Sequence, residues 1–154
     1  MTIGIRGLVT LFAVTALAGC AADTTSDDGE AGDLGATEDM LLAGRIYTAA
    51  EVAELVRGAG FPASAVGPMV CTAKYESSFY ERATNKNNNG TMDRGLFQIN
   101  SIHLKDPGCP ATGEATFNAA ANTKCAHAIY KSQGITAWYG YRKHKAECDR
   151  FPAP

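Results

Sequence analysis

Between Cys71 and Ser101 the chain carries two carboxylates, Glu76 and Asp93, on stretches of opposite character, and that contrast limits the folds open to it. Ahead of Glu76, the residues Met69, Val70, Ala73 and Tyr75 predict a helix. Behind it, Ser77-Ser78 and the run from Asn85 to Asn89 break helical periodicity. Asn88-Asn89-Gly90 is a turn signal, because Asn and Gly tolerate the positive φ of a tight hairpin. On its far side Leu96, Phe97 and Ile99 suit a short strand. Glu76 is thus expected at the C-terminal end of a helix and Asp93 on a strand of a small sheet. Two carboxyl groups on different elements can face each other across a groove, as glycoside hydrolysis requires.

The rest of the chain falls into three parts. Residues 1–20 read as a targeting segment: Arg6 supplies a positive start, and Gly7 to Leu17 are apolar but too short to span a bilayer. Leu17-Ala18-Gly19-Cys20 resembles the lipobox of bacterial lipoproteins, in which the cysteine is lipidated and becomes the mature N-terminus. Cysteine arithmetic agrees, since five cysteines leave one odd and removing Cys20 leaves four. The expected location is therefore the bacterial cell envelope, exported and membrane-anchored through Cys20. An ordinary signal cleaved after Ala18 would give a secreted protein instead. Residues 21–43 hold seven acidic side chains and no Lys or Arg. Such a stretch cannot bury enough apolar surface to offset its ordering entropy, so a disordered acidic tether is expected.

Residues 44–154 form one domain by length, with thirteen Lys and Arg against nine Asp and Glu. That mildly basic balance suits an anionic polymer, whereas nucleic acid calls for a denser basic patch, and none is expected as a partner. Thr48-Ala49-Ala50-Glu51 is a capping-box pattern, Val52, Leu55 and Val56 share one face of the helix it opens, and Gly58 and Gly60 end it. Pro68 is placed in the first turn of the next helix, where its missing N–H matters least. Phe117 to Ser132 reads as a helix with Phe117, Ala121, Cys125, Ala128 and Ile129 inward and Gly134 as its stop. Trp138 to Glu147 reads as a last helix. The fold class is α+β, helices around a small antiparallel sheet with a cleft between them. Cys71, Cys109, Cys125 and Cys148 allow three disulfide pairings, which spacing alone does not separate. With no Cys-x-x-Cys pair in an exported chain, a zinc site is not implied.

The segment from Ala73 to Ser101 resembles, without a gap, the active-site segment of animal c-type lysozymes. The shared pieces are Ala-Lys-aromatic-Glu-Ser-x-Phe, Ala-Thr-Asn-x-Asn, the Gly90-x-x-Asp93-x-Gly95 spacing and Gln98-Ile99-Asn100-Ser101. The resemblance implies a lysozyme-like fold and a muramidase that cuts the β-1,4 bond between N-acetylmuramic acid and N-acetylglucosamine in peptidoglycan. Glu76 would be its general acid and Asp93 its nucleophile or electrostatic stabiliser. It also implies Asn87, Gln98, Asn100, His103, Ala137 and Trp138 as substrate contacts, no cofactor or metal, and a monomer. Disulfides Cys71–Cys148 and Cys109–Cys125 follow from the same likeness, although Cys148 lies three residues beyond its expected place. An acid that keeps its proton near neutrality needs apolar neighbours, and Tyr75, Phe79 and Trp138 are the candidates for that wall. Asp93 needs polar ones, and Asn87 and Asn100 match residues that surround the family's aspartate.

Departures from the family fall on the substrate groove. His103 and Leu104 stand where lysozymes carry two sugar-stacking tryptophans, and Met69 and Tyr141 replace two core tryptophans. Two other classes stay open. Lytic transglycosylases share the fold, the Glu-Ser motif and a run like Gly95-Leu96-Phe97-Gln98-Ile99; they use one Glu and release 1,6-anhydro sugars without water. A non-catalytic glycan-binding module on the same scaffold would have no use for both carboxylates.

Overall fold

The computed structural model describes residues 43–154. The leader with Cys20 and all but the last residue of the acidic stretch lie outside the described residues. Helix α1, Ala49–Gly58, opens on the capping box: Glu51 N–H donates to Thr48 Oγ1, and Thr48 N–H donates to Glu51 Oε2 at 2.8 Å. Val52, Ala53 and Val56 form its buried face, and Gly60 follows at φ +92°.

Helix α2, Ala63–Ser77, starts earlier than Pro68 suggested, with Pro62 in extended conformation as its N-cap. Pro68 therefore sits in the helix body, where a proline costs about 3 kcal/mol in isolation. Packing outweighs that local cost: Ala65, Val66, Met69, Val70, Cys71 and Ala73 are all buried against the other helices. Gly67 is required by close approach, because a Cβ there would run into the carbonyl oxygen of Phe151 as the C-terminal segment crosses the helix. The helix ends sharply at Ser78, in left-handed conformation at φ 53°, directly after Ser77. Ser77 is buried, and its hydroxyl donates to Ala73 O and, at 2.8 Å, to Leu96 O. The end of α2 is thereby tied to the turn beside the sheet.

The sheet has three short antiparallel strands in chain order, β1 Thr84–Lys86, β2 Met92–Arg94 and β3 Ile99–Asn100. Gly90, at φ +84°, closes the β1–β2 turn and donates to Asn87 O. Leu96 and Phe97, expected in a strand, lie instead in the turn before β3 and are fully buried. Their place is set by the third helix, α3 (Ala119–Gln133), through one side chain. Asn122 accepts from Phe97 N–H at 2.9 Å and donates to Arg94 O and Thr116 O. Gly95, at φ +79°, packs so tightly on Asn122 that a Cβ would overlap its amide.

Helix α3 also differs from its sequence reading. Phe117 belongs to a 3-10 turn, Glu114–Phe117, and Asn118 caps α3 by accepting from Ala121 N–H. The buried stripe is Ala119, Asn122, Thr123, Cys125, Ala126 and Ile129, so the expected Phe117, Ala121 and Ala128 are only half-buried. After Gly134 a 3-10 turn, Ile135–Ala137, leads to Trp138. The expected last helix is broken at His144 into α4, Tyr139–Lys143, and α5, Lys145–Cys148. Disulfides Cys71–Cys148 and Cys109–Cys125 are both formed, closing separations of 77 and 16 residues. The first fastens α5 to α2, directly after the break at His144.

Candidate active site

Glu76 lies in the last turn of α2, half-buried, and its Oε1 accepts the backbone N–H of Gly140 at 2.7 Å. That N–H is one of the first-turn amides of α4 that no helical carbonyl can satisfy. Gly140 has no room for a side chain, since a Cβ would stand 3.0 Å from Glu76 Oε1 and 3.0 Å from Tyr75 Cβ. Burial is the largest influence on this carboxyl and lifts its pKa above the ordinary glutamic acid range. The Gly140 hydrogen bond opposes the rise, the nearby Asp93 charge adds to it, and the Arg142 guanidinium opposes it. The net direction is upward.

Asp93 is in contrasting surroundings, and the sheet register explains them. Asn85 pairs with Asp93 on one side and Asn100 on the other, so the three side chains stand in one row across the sheet. Asn100 Nδ2 donates to Asp93 Oδ1 at 2.7 Å, while Asn87 and Asn85 donate to Oδ2 at 2.9 and 3.2 Å. Thr91 links the cradle, accepting from both Asn87 and Asn100 through its hydroxyl. Three amide donors converge on one carboxylate.

Two cavities meet at this pair, one of about 220 Å³ and one of about 580 Å³, sharing Glu76, Asp93, Gln98 and Tyr139 in their walls. The first also takes in Asn100, His103, Ala137 and Trp138; the second takes in Asn87. All six residues expected to touch substrate therefore border the groove. Some have other duties. Gln98, at φ 45°, spends its amide N–H groups on Ala83 O and Gly95 O. His103 Nδ1 is 3.0 Å from Asp106 Oδ2. Trp138 is 6 % exposed, meets Phe97 edge-on and donates its indole N–H to Phe97 O at 2.9 Å.

The expected apolar wall is corrected in part. Tyr75 borders neither cavity: its ring stacks on His144 at 3.5 Å and its hydroxyl donates to Glu147. Phe79 packs against the core and does not border either cavity. Trp138, Ala137 and Ile129 supply the apolar lining instead. Gly140, Arg142 and Tyr139 were not singled out from sequence; their positions depend on how α4 docks against the end of α2, which no local pattern encodes. A larger cavity of about 670 Å³ lies on α1 beside Leu55 and Ala59. Its carboxylates, Glu51 and Glu54, are paired with Arg45 and Arg57, whereas Glu76 and Asp93 line the groove without an ion-pair partner among the described residues.

Residues 45–151 match the sequence profile of the C-type lysozyme/alpha-lactalbumin family. The chain belongs to this family. Among its relatives, lysozyme c-1 of Anopheles gambiae is 36% identical over 101 residues, covering 61% of this chain and 72% of the relative. Lysozyme C of Crax fasciolata is 35% identical over 114 residues, 65% of this chain and 88% of the relative. The lysozyme of Galleria mellonella is 31% identical over 119 residues, 71% and 96%. These relatives and the α+β architecture make the family member described here a glycoside hydrolase of the lysozyme type. At the level of the family, its activity is that of a muramidase on peptidoglycan glycan strands.

Proposed function

We propose that this chain hydrolyses the β-1,4 bond between N-acetylmuramic acid and N-acetylglucosamine, with Glu76 as general acid and Asp93 as nucleophile or electrostatic stabiliser. The observation that carries the proposal is the contrast between two carboxyls lining one groove. Glu76 is partly desolvated and held by a single backbone N–H; Asp93 sits among three amide donors. Desolvation favours the protonated form of Glu76, the form that can deliver a proton to the leaving oxygen. Asp93, hydrogen-bonded by its three amide donors, lines the same groove, and its carboxylate is the group to meet the positive charge that develops on the sugar. This two-carboxylate chemistry is the one known for lysozymes at large and is carried over to these positions.

Glu76→Gln should lower the rate on purified peptidoglycan by roughly 10²–10⁴, the usual worth of a positioned general acid. Asp93→Asn keeps the shape and hydrogen-bonding size of the side chain but removes its charge, and should also cost a large factor. Activity within twofold of wild type for Asp93→Asn would remove Asp93 from the mechanism and favour the single-glutamate transglycosylase reading. The substrate contacts follow from the groove: Asn87, Gln98, Asn100, His103, Ala137 and Trp138 border it and are assigned to glycan binding on that ground. The protein acts as a monomer outside the cytoplasm, held to a membrane through lipid on Cys20. Support for the anchor is the lipobox-like Leu17-Ala18-Gly19-Cys20 and the pairing of every other cysteine in a disulfide.

A further inference from the structure

We propose that Tyr139 is the aromatic platform on which a pyranose ring of the substrate packs where the glycan passes the carboxylate pair. The inference rests on the glycan-cleaving reading of the groove and adds to it a residue which that reading does not use. A saccharide presents a polar edge and a C–H-rich face, and sites that hold sugars match that face with an exposed aromatic ring. The groove borders three aromatic side chains. Trp138 is 6 % exposed, with its N–H committed to Phe97 O, so it serves as floor. The His103 side chain is only 19 % exposed and is held by Asp106. Tyr139 is 66 % exposed, and it is the aromatic residue common to both cavities, alongside Glu76, Asp93 and Gln98. Any chain long enough to occupy both cavities must pass it.

The ring is also held in place. Tyr139 is the first residue of α4, directly after the buried Trp138 and directly before Gly140, whose N–H fixes Glu76. The Arg142 guanidinium lies over the ring, 5.8 Å from its centroid. Arg142 is itself anchored, donating to Thr136 O at 2.6 Å and Ala137 O at 3.0 Å. With the Arg142 contact made, the Tyr139 residue is still 66 % exposed. Among the described residues the Tyr139 hydroxyl has no hydrogen-bond partner, so the ring is held through its backbone position and the Arg142 contact alone. A tyrosine also has few rotamers to lose on binding, which suits a preformed contact.

The test uses the purified protein and a soluble hexamer of β-1,4-linked N-acetylglucosamine, alongside peptidoglycan. Wild type and Glu76→Gln are compared first, to establish Glu76-dependent hydrolysis. Tyr139→Ala and Tyr139→Leu should then raise KM by roughly 5- to 10-fold with a smaller change in kcat, the pattern of lost uniform binding. Tyr139→Phe, which keeps the ring, should stay within about twofold of wild type. Titration of the hexamer into Glu76→Gln with and without Tyr139→Ala should show the same weakening in Kd, independently of turnover. Unchanged KM and Kd in the Ala and Leu variants, with wild type hydrolysing through Glu76, would overturn the platform and leave the proposed function standing. Loss of KM or Kd in Tyr139→Phe equal to that in Tyr139→Ala would also overturn it, because the hydroxyl would then be the contact. If wild type cleaves neither the hexamer nor peptidoglycan, the catalytic reading fails and the Kd comparison alone decides on Tyr139. If wild type binds neither, both fail.

Discussion

Glu76 is subject to opposed influences at the scale of a single residue, and their balance makes its titration measurable. Burial and the Asp93 charge raise its pKa; the Gly140 N–H and Arg142 lower it, and the rise wins. For an acid whose pKa is higher folded than unfolded, folding is penalised once the pH exceeds the unfolded value near 4.3. The penalty grows until the pH passes the folded pKa and stays full above it. Glu76→Gln should therefore raise Tm at pH 7, and that advantage should vanish below about pH 4, where glutamic acid is protonated in both states. Thermal melts of the two proteins across that range check it; a lower Tm for the variant at pH 7 would contradict it. The catalytic counterpart is an alkaline limb in kcat set by the raised pKa of Glu76, with activity falling as the proton is lost.

Elements place these residues, and their legibility followed how local the deciding interactions are. The Asn-Gly turn was readable because positive φ at Gly90 is a property of one residue. The turn then sets the register, and the register lines up Asn85, Asp93 and Asn100. The capping box at Thr48 was readable for the same reason. Pro68 misled because burial along α2 overrides a local penalty, and no local signal in the sequence marks the break at His144. Asn122 was invisible: a polar residue on a helix face reads as exposed unless its partners, here on the stretch between β2 and β3 and on the 3-10 turn before the helix, are known. Its removal is the sharpest stability test at this scale. Asn122→Ala would take the side-chain partner from the buried Phe97 N–H and Thr116 O, at about 1–3 kcal/mol each, and from the part-buried Arg94 O at less. A total loss of roughly 3–5 kcal/mol is expected in denaturant unfolding, allowing for partial relaxation. A loss below about 1 kcal/mol would mean that the turn beneath the groove does not depend on it.

Among the described residues, the sheet and its β1–β2 turn carry Asp93 and its amide cradle, α2 carries Glu76, the segment entering α4 carries Trp138, and two disulfides fasten the helical side around a small core. The proposed anchor is tested on the full-length chain: Cys20→Ser should move the protein from the membrane to the soluble fraction without changing the specific activity of the folded domain. A mature wild-type chain that begins at Gly19 and carries no lipid, found by intact mass, would contradict the anchor. The central claim is that water completes a reaction run by two carboxylates, and the products of peptidoglycan digestion test it most directly. Mass analysis of the released fragments should find ordinary reducing ends, each heavier by one water than the corresponding 1,6-anhydro sugar, and should find them lost in both Glu76→Gln and Asp93→Asn. Anhydro sugars as the main product, released unchanged by Asp93→Asn, would contradict it.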